Sequence, residues 1–347
     1  MKTTKLCLSA VVAIGTMCTA FSGLASENVR LTLANGIAPT VPTSWMFTDY
    51  LAPRLEEYSE GRIDADAQVG GALCSEHTCF EQALLGEIDI GSASGGNIGA
   101  FGKTFDILNL PFIFKDAESA EKVMNGWLFD ELADRAAEEM DIKVLAIVPS
   151  LGFRNVQNRL REVRTPADMK GLKIRVTKSD VERLLISGWG GVAIPFDWAN
   201  LYEGLETGVV DGMYIPDAYV AARSFYEVTP YITKTGGAWN THVIFMGMSR
   251  YESLPDWAKE VVNKAGRELQ QDSFAIDREW EEERLKELEG NVEYYTPTDE
   301  EMTLWYAGVP PVWKSVSDSF DPELARRVLE DQGMTDLIGG LEEAGVL

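Results

Sequence analysis

Histidine is scarce in this chain: His77 and His242 are the only two in 347 residues. A Ser-His-Asp triad or a metal-hydrolase cluster would have to use one of them. Cysteine is scarce too, and two of the four, Cys7 and Cys18, fall in the first 25 residues. Basic residues are in deficit, 31 Lys and Arg against 55 Asp and Glu, for a formal net charge of -24. That balance argues against a nucleic-acid partner, because phosphate binding needs a basic face. SASGGNIG (92–99) carries glycines, but no Lys-Ser/Thr follows as a P-loop requires, and the spacing is not a dinucleotide fingerprint. No cofactor is implied. No low-complexity linker or internal repeat is visible, and no apolar run after the first 25 residues is long enough to span a membrane.

What is present begins with a leader. MKTTK is basic, LCLSAVVAIGTMCTAF is apolar, and Gly23 and Ala25 form a small-x-small end. Cleavage near Ala25 is expected, with export to the periplasm. Gly15, Thr16 and Thr19 weaken the alternative of a membrane anchor. Met17 before Cys18 does not fit a lipoprotein box. Export makes a disulfide between Cys74 and Cys79 the leading reading. Zinc is the alternative, since His77 lies between them, though only three ligands would be near.

Hydrophobic residues make up 45% of the chain, and its length suits about two domains. Strand patterns at 29–36, 62–71, 88–94 and 143–150 alternate with helix patterns at 44–58, 79–87 and 116–126. This predicts an α/β unit on a largely parallel sheet. A second α/β unit follows: strands GLKIRV, GVAIPF and VVDGMYIP with helices SDVERLLISGWG and NLYEGLETG. FMGMSRYESL predicts a return strand, 256–288 one long helix, and the tail from Thr296 a helical, polar segment. Without a linker, the domains should be joined by several crossings.

Between 154 and 178 lie eight basic residues: Arg154, Arg159, Arg161, Arg164, Lys170, Lys173, Arg175 and Lys178. Arg175 sits between Ile174 and Val176, so strand alternation aims it off the apolar layer. Arg154 follows Gly152-Phe153 at the end of a buried strand. An interdomain ion pair would account for Arg175, and so would a ligand carboxylate held by the guanidinium fork. A glycosidase needs only two carboxylates, which 55 acidic residues readily supply, so an exported enzyme acting on acidic sugars stands as the alternative class.

LPFIFKDAESAEKVMNG (110–126), GFRNVQN (152–158), TPADMKGLKIRV (165–176), AIPFDWANLYEGLETGVVDG (193–212) and FYEVTPYI (225–232) occur in that order. With the leader and the Leu-Pro-Asp-Trp entry (254–257) to the long helix, the chain resembles the DctP-type solute-binding proteins of TRAP (tripartite ATP-independent periplasmic) transporters. The resemblance implies a two-domain periplasmic binding protein with a central cleft, connecting strands and a long interdomain helix. It implies domain I at 26–152 and 240–280, domain II at 153–239 and 281–347, and the helix 256–288 spanning both. It implies a binding protein, not an enzyme, that delivers a small organic acid to the small and large membrane subunits. Arg175 then matches the main carboxylate-binding Arg, Arg154 an assisting one, and Trp198 a wall of the pocket. One departure stands out. Where the family commonly has Gln-Glu-Asn-Pro, this chain has Met213-Tyr214-Ile215-Pro216, so Ile215 replaces a ligand-binding Asn. Asp217, Tyr214 or Asn240 would take over. Trp189, Trp198 and Trp239 offer flat faces, and Glu76, Asp197, Asp217 and Asn240 offer hydroxyl partners. A hydroxylated sugar acid, uronate or aldonate, is the expected ligand, with a C4-dicarboxylate or a small sulfonate as alternatives.

Overall fold

The computed structural model describes residues 28–347, so the expected leader and its cleavage point lie outside the described residues. Among the described residues nine strands form a single sheet: β1 (Val29–Ala34), β2 (Ile63–Gln68), β3 (Ile90–Ser94), β4 (Ile142–Asn158), β5 (Lys173–Val176), β6 (Val192–Pro195), β7 (Gly212–Pro216), β8 (Tyr231–Gly247) and β9 (Glu293–Tyr295). Their order is β2-β1-β3-β8-β4-β7-β5-β6, with β9 on β8.

The outer pairs β1–β2, β1–β3, β5–β6 and β5–β7 are parallel, as their helical crossovers require. The centre is antiparallel: β8 pairs with β3 and β4, and β4 pairs with β7. This corrects the expectation of a largely parallel sheet. The cause is a pair of 17-residue strands, β4 and β8, that run through both halves of the molecule. One half is β2-β1-β3 with the adjoining ends of β8 and β4. The other is β7-β5-β6 with the opposite ends.

The two halves meet at a break in register. Pairing runs to Pro149↔Thr241 and resumes at Phe153↔Trp239. In between, Leu151 and Gly152 have φ of 62° and 89°. The φ of 89° calls for glycine at 152, and a Cβ there would also push on the end of the Glu281 side chain, 2.8 Å from its carboxyl carbon. Asp277 secures the bulge, its Oδ1 and Oδ2 accepting from the Leu151 N–H at 2.7 and 3.0 Å.

Several short helices start or stop at a clear cap. The Asp116 side chain accepts from Ser119 N at the head of Ala117–Val123. The Ser179 side chain accepts from Glu182 N at the head of Asp180–Gly188, and Gly86 (φ 74°) closes Cys79–Leu85. Two expectations are corrected. Gly126 leaves helical geometry, yet the chain resumes as Phe129–Met140. The return strand ends at Gly247, and Met248–Ser253 is helical. Asp256–Lys286 is a 31-residue helix that packs on β4, on Ala52–Tyr58 and on Asp217–Ala222. Among the described residues no helix is long and apolar enough to cross a membrane.

Candidate functional site

A cavity with about 320 Å³ of unfilled space lies between the two halves, beside the break in β4 and β8. The room it leaves for a water-sized solute is about 30 Å³, space for a water or two, so a ligand enters only when the halves stand further apart. Of the residues singled out in the sequence, Arg175, Arg154, Trp198, Glu76 and Asn240 line it.

Alternation within β5 sends Ile174 and Val176 into one core layer and Arg175 to the other face, 2% exposed. Its Nε donates to the Phe196 carbonyl at 3.0 Å, and Cζ lies 5.5 Å from the centroid of the Trp198 ring. It forms no ion pair among the described residues. Burial pushes this guanidinium down to about 10, opposed by Glu182 and assisted by the like charge of Arg154. It therefore stays charged at neutral pH while lacking a direct counter-ion. The interdomain ion pair that composition allowed is not formed.

Arg154 lies within the long β4 strand, not at a strand end, and is fully committed at both Nη atoms. Nη1 donates to the Tyr214 carbonyl at 2.8 Å and Nη2 to Asn240 Oδ1 at 2.7 Å. Glu182 Oε1 stands 3.3 Å from Nη2. That contact is an ion pair, not an aligned hydrogen bond, because Oε1 has no hydrogen-bond partner among the described residues. Asn240 gives its Nδ2 to the Ser150 carbonyl at 2.8 Å.

Opposite the arginines is a fixed carboxylate. Glu76 sits inside the Cys74–Cys79 loop, which is closed by a disulfide. Glu76 Oε2 accepts from Asn97 Nδ2 at 2.9 Å and from Ser94 N at 3.2 Å, and Oε1 is 3.3 Å from His242 Nε2. Burial opposes its ionisation, but the charge and hydrogen bond of His242, with Asn97 and Ser94, prevail and hold the carboxyl at about 2. The two cysteines are bonded to each other and so are not free as the thiolate ligands of the zinc alternative.

Trp198 reaches the cavity from the loop between β6 and the helix Leu201–Glu206, packed edge-on against Tyr219 and Phe225. Its Nε1 is buried without a hydrogen-bond partner among the described residues. Asp197 beside it meets His77 across the mouth, Oδ2 to Nε2 at 3.5 Å.

Four candidates are buried elsewhere. Tyr214 alternates to the far face of β7 and packs edge-on against Trp189. Asp217 turns to Gln157, Oδ1 accepting from Nε2 at 3.0 Å. Trp189 stacks edge-on with Trp305, and Trp239 with Phe153. None of the four lines the cavity. Ile215 takes the wall position instead, with Ile37, Pro216 and Tyr219. Of these lining residues, His242, Asn97 and Ser94 were not foreseen as site residues. Each is brought in by a strand or turn far away in sequence, and only the polar exceptions in buried segments, such as His242 within THVIF, could have signalled them.

An α/β molecule with two halves joined by crossing strands, holding an unpaired buried cation in the cavity between them, is a solute-binding protein of the two-lobed kind. The family model for bacterial extracellular solute-binding proteins, family 7 (DctP), matches residues 37–319, and the chain belongs to that family. It is a TRAP-type transport binding protein and not an enzyme. It is 27% identical to the 2,3-diketo-L-gulonate-binding periplasmic protein of Escherichia coli, over 70% of this chain and 76% of that one. It is 25% identical to the C4-dicarboxylate-binding periplasmic protein of Rhodobacter capsulatus, over 86% and 89%. The crystal structure of the sugar acid binding protein of Advenella mimigardefordensis with galactonate superposes with a TM-score of 0.82 at 26% identity, covering 88% of this chain and 98% of that one.

Proposed function

We propose that this protein captures a hydroxylated sugar acid, uronate or aldonate, in the periplasm and delivers it to the small and large membrane subunits of a TRAP transporter. Arg175 binds the carboxylate through its free fork, and Arg154, held by Glu182 and Asn240, supplies the second cation. Glu76 and Asn240 receive hydroxyl groups, and Trp198 forms the wall. The leader is removed near Ala25. The lobes divide into 26–152 with 240–280 and 153–239 with 281–347, and the long helix spans both. The C-terminal helices lean on each lobe, with Trp313 Nε1 donating to the Pro111 carbonyl at 3.1 Å.

One observation carries the reading: the cavity has a buried, unpaired guanidinium on one side and a fixed, ionised carboxylate on the other. A monoanion with hydroxyl donors satisfies both. A second ligand carboxylate would face Glu76, so the arrangement disfavours a dicarboxylate. Relatives that bind a diketogulonate and galactonate agree with this choice. A thermal-shift series with galactonate, glucuronate, galacturonate, succinate and a small sulfonate tests it. Saturation at a hundred times Kd should add about 2.7 kcal/mol of stability. The expected result is stabilisation by at least one sugar acid, recovered unchanged, and a much smaller shift with succinate. Stabilisation by succinate or the sulfonate alone, or conversion of the sugar acid, would overturn it.

A further inference from the structure

A second and larger recess, about 940 Å³ of unfilled space, opens beside the central cavity and shares Glu76 and Trp198 with it. Arg223, at the end of the helix Asp217–Ala222, is half-buried in its wall. Its guanidinium forms neither an ion pair nor a side-chain hydrogen bond among the described residues, in a chain with 55 acidic residues. It lies over two aromatic rings instead, Cζ being 5.4 Å from the Trp198 centroid and 5.9 Å from that of Phe225. Burial lowers its pKa, and only Tyr219 acts against that. The two acids of the recess have partners of their own, although burial lowers the pKa of His77, so its imidazole is neutral at neutral pH and does not offset the Asp197 carboxylate. Asp197 faces His77 and accepts from Ala199 N at 2.8 Å, and Glu76 holds His242, Asn97 and the Ser94 N–H. One indole thus has an unpaired cation in each compartment, since Arg175 Cζ stands 5.5 Å from the same ring.

We infer that this recess is an outer carboxylate subsite, in which Arg223 is the first cation an incoming acid meets before it passes Trp198 to Arg175. The inference rests on the acid-binding reading above. A net charge of -24 repels an anion at long range, and salt screens that repulsion beyond roughly 8–10 Å. At the mouth, a cation with which neither Glu76 nor Asp197 forms an ion pair is what can raise the encounter rate against that background. An aromatic face beneath it keeps the guanidinium oriented without neutralising it.

Stopped-flow tryptophan fluorescence with galactonate and with glucuronate, at low and high salt, tests this on the mature protein. Arg223→Gln should slow association roughly 3- to 10-fold at low salt, flatten its salt dependence and leave the dissociation rate little changed. Arg223→Lys should restore most of the association rate, because steering needs charge and not the fork. Arg175→Gln is the control for the inner site and should abolish binding. Normal, Arg175-dependent binding with an unchanged association rate in Arg223→Gln would sink the outer subsite alone. So would a loss confined to dissociation, which would mark Arg223 as a packing residue. If the wild type bound no acid, both the ligand reading and the subsite would fall.

Discussion

At the scale of single residues, the decisive feature is the contrast between two arginines that share a cavity. Arg154 is enclosed by Glu182, Asn240 and the Tyr214 carbonyl, and Arg175 keeps only one backbone contact. Truncating one partner of a buried, hydrogen-bonded charge pair costs about 2–5 kcal/mol. Arg175→Ala should therefore lose roughly 30-fold to more than a thousandfold in sugar-acid affinity by calorimetry. Its fold should persist, since no ion pair is broken. Arg175→Lys should also bind poorly, because an ammonium cannot present two parallel donors. Near-normal affinity in either variant would remove Arg175 from the site. Glu76 is tested by the opposite change. Glu76→Gln keeps a partner for Asn97 but removes the negative charge, and should raise the ratio of succinate to galactonate affinity by roughly tenfold, about 1.4 kcal/mol. An unchanged ratio would mean that the carboxylate does not select against a second anion.

At the scale of elements, the small helix Gly95–Ile98 after β3 approaches the loop after β5 from the other half of the molecule. Asn97 Oδ1 accepts from Lys178 N at 3.3 Å. A Cβ at Gly96 would lie 2.6 Å from Glu182 Oε1 and closer still to Thr177 Oγ1. Overpacking of this kind costs about 1–3 kcal/mol. Gly96→Ala should hold the halves apart, weaken ligand binding roughly tenfold by calorimetry and enlarge the ligand-saturated molecule in X-ray scattering. Unaltered affinity and dimensions would show that this contact does not limit closure. Legibility also varied by element. Short helices announced themselves through Asp116, Ser179 and Gly86, because capping is local chemistry. The two 17-residue strands did not. β4 is buried on nearly every residue, so it shows no alternation, and Gly152 reads as the end of a strand that in fact continues. The helix Phe129–Met140 was hidden because Gly126 looks like a stop. The cavity followed the same rule. Arg175 is visible because its strand alternates, and Glu76 is a sequence candidate, whereas Asn97 and His242 reach Glu76 only through the pairing of β3 with β8.

At the scale of the whole molecule, the acidic surplus extends into the interior where the halves meet, and this sets how stability depends on pH. Asp277 holds the Leu151 bulge from the long helix, and burial pushes its carboxyl up to about 8 from an ordinary 3.8. Burial likewise raises Asp217 to about 6, and it raises Glu281, which also feels the charge of Asp217. A carboxyl whose folded pKa exceeds its unfolded value binds more protons when folded. Its contribution to stability is complete below the unfolded pKa and is lost as pH rises through the folded one. Glu76 has the opposite sign: held at about 2 against an ordinary 4.5, it stabilises above 4.5 and loses that contribution as pH falls towards 2. The two tendencies place the most stable range on the weakly acidic side of neutrality. Urea unfolding between about pH 5 and pH 8 should show stability falling as pH rises, by at most about 1.4 kcal/mol per pH unit for each proton released. Asp277→Asn preserves an acceptor for the Leu151 N–H but cannot ionise, so its profile should be flatter than the wild type towards pH 8. Parallel profiles for the two proteins would show that Asp277 keeps no proton in the folded state, and that the bulge between the lobes is held by a carboxylate.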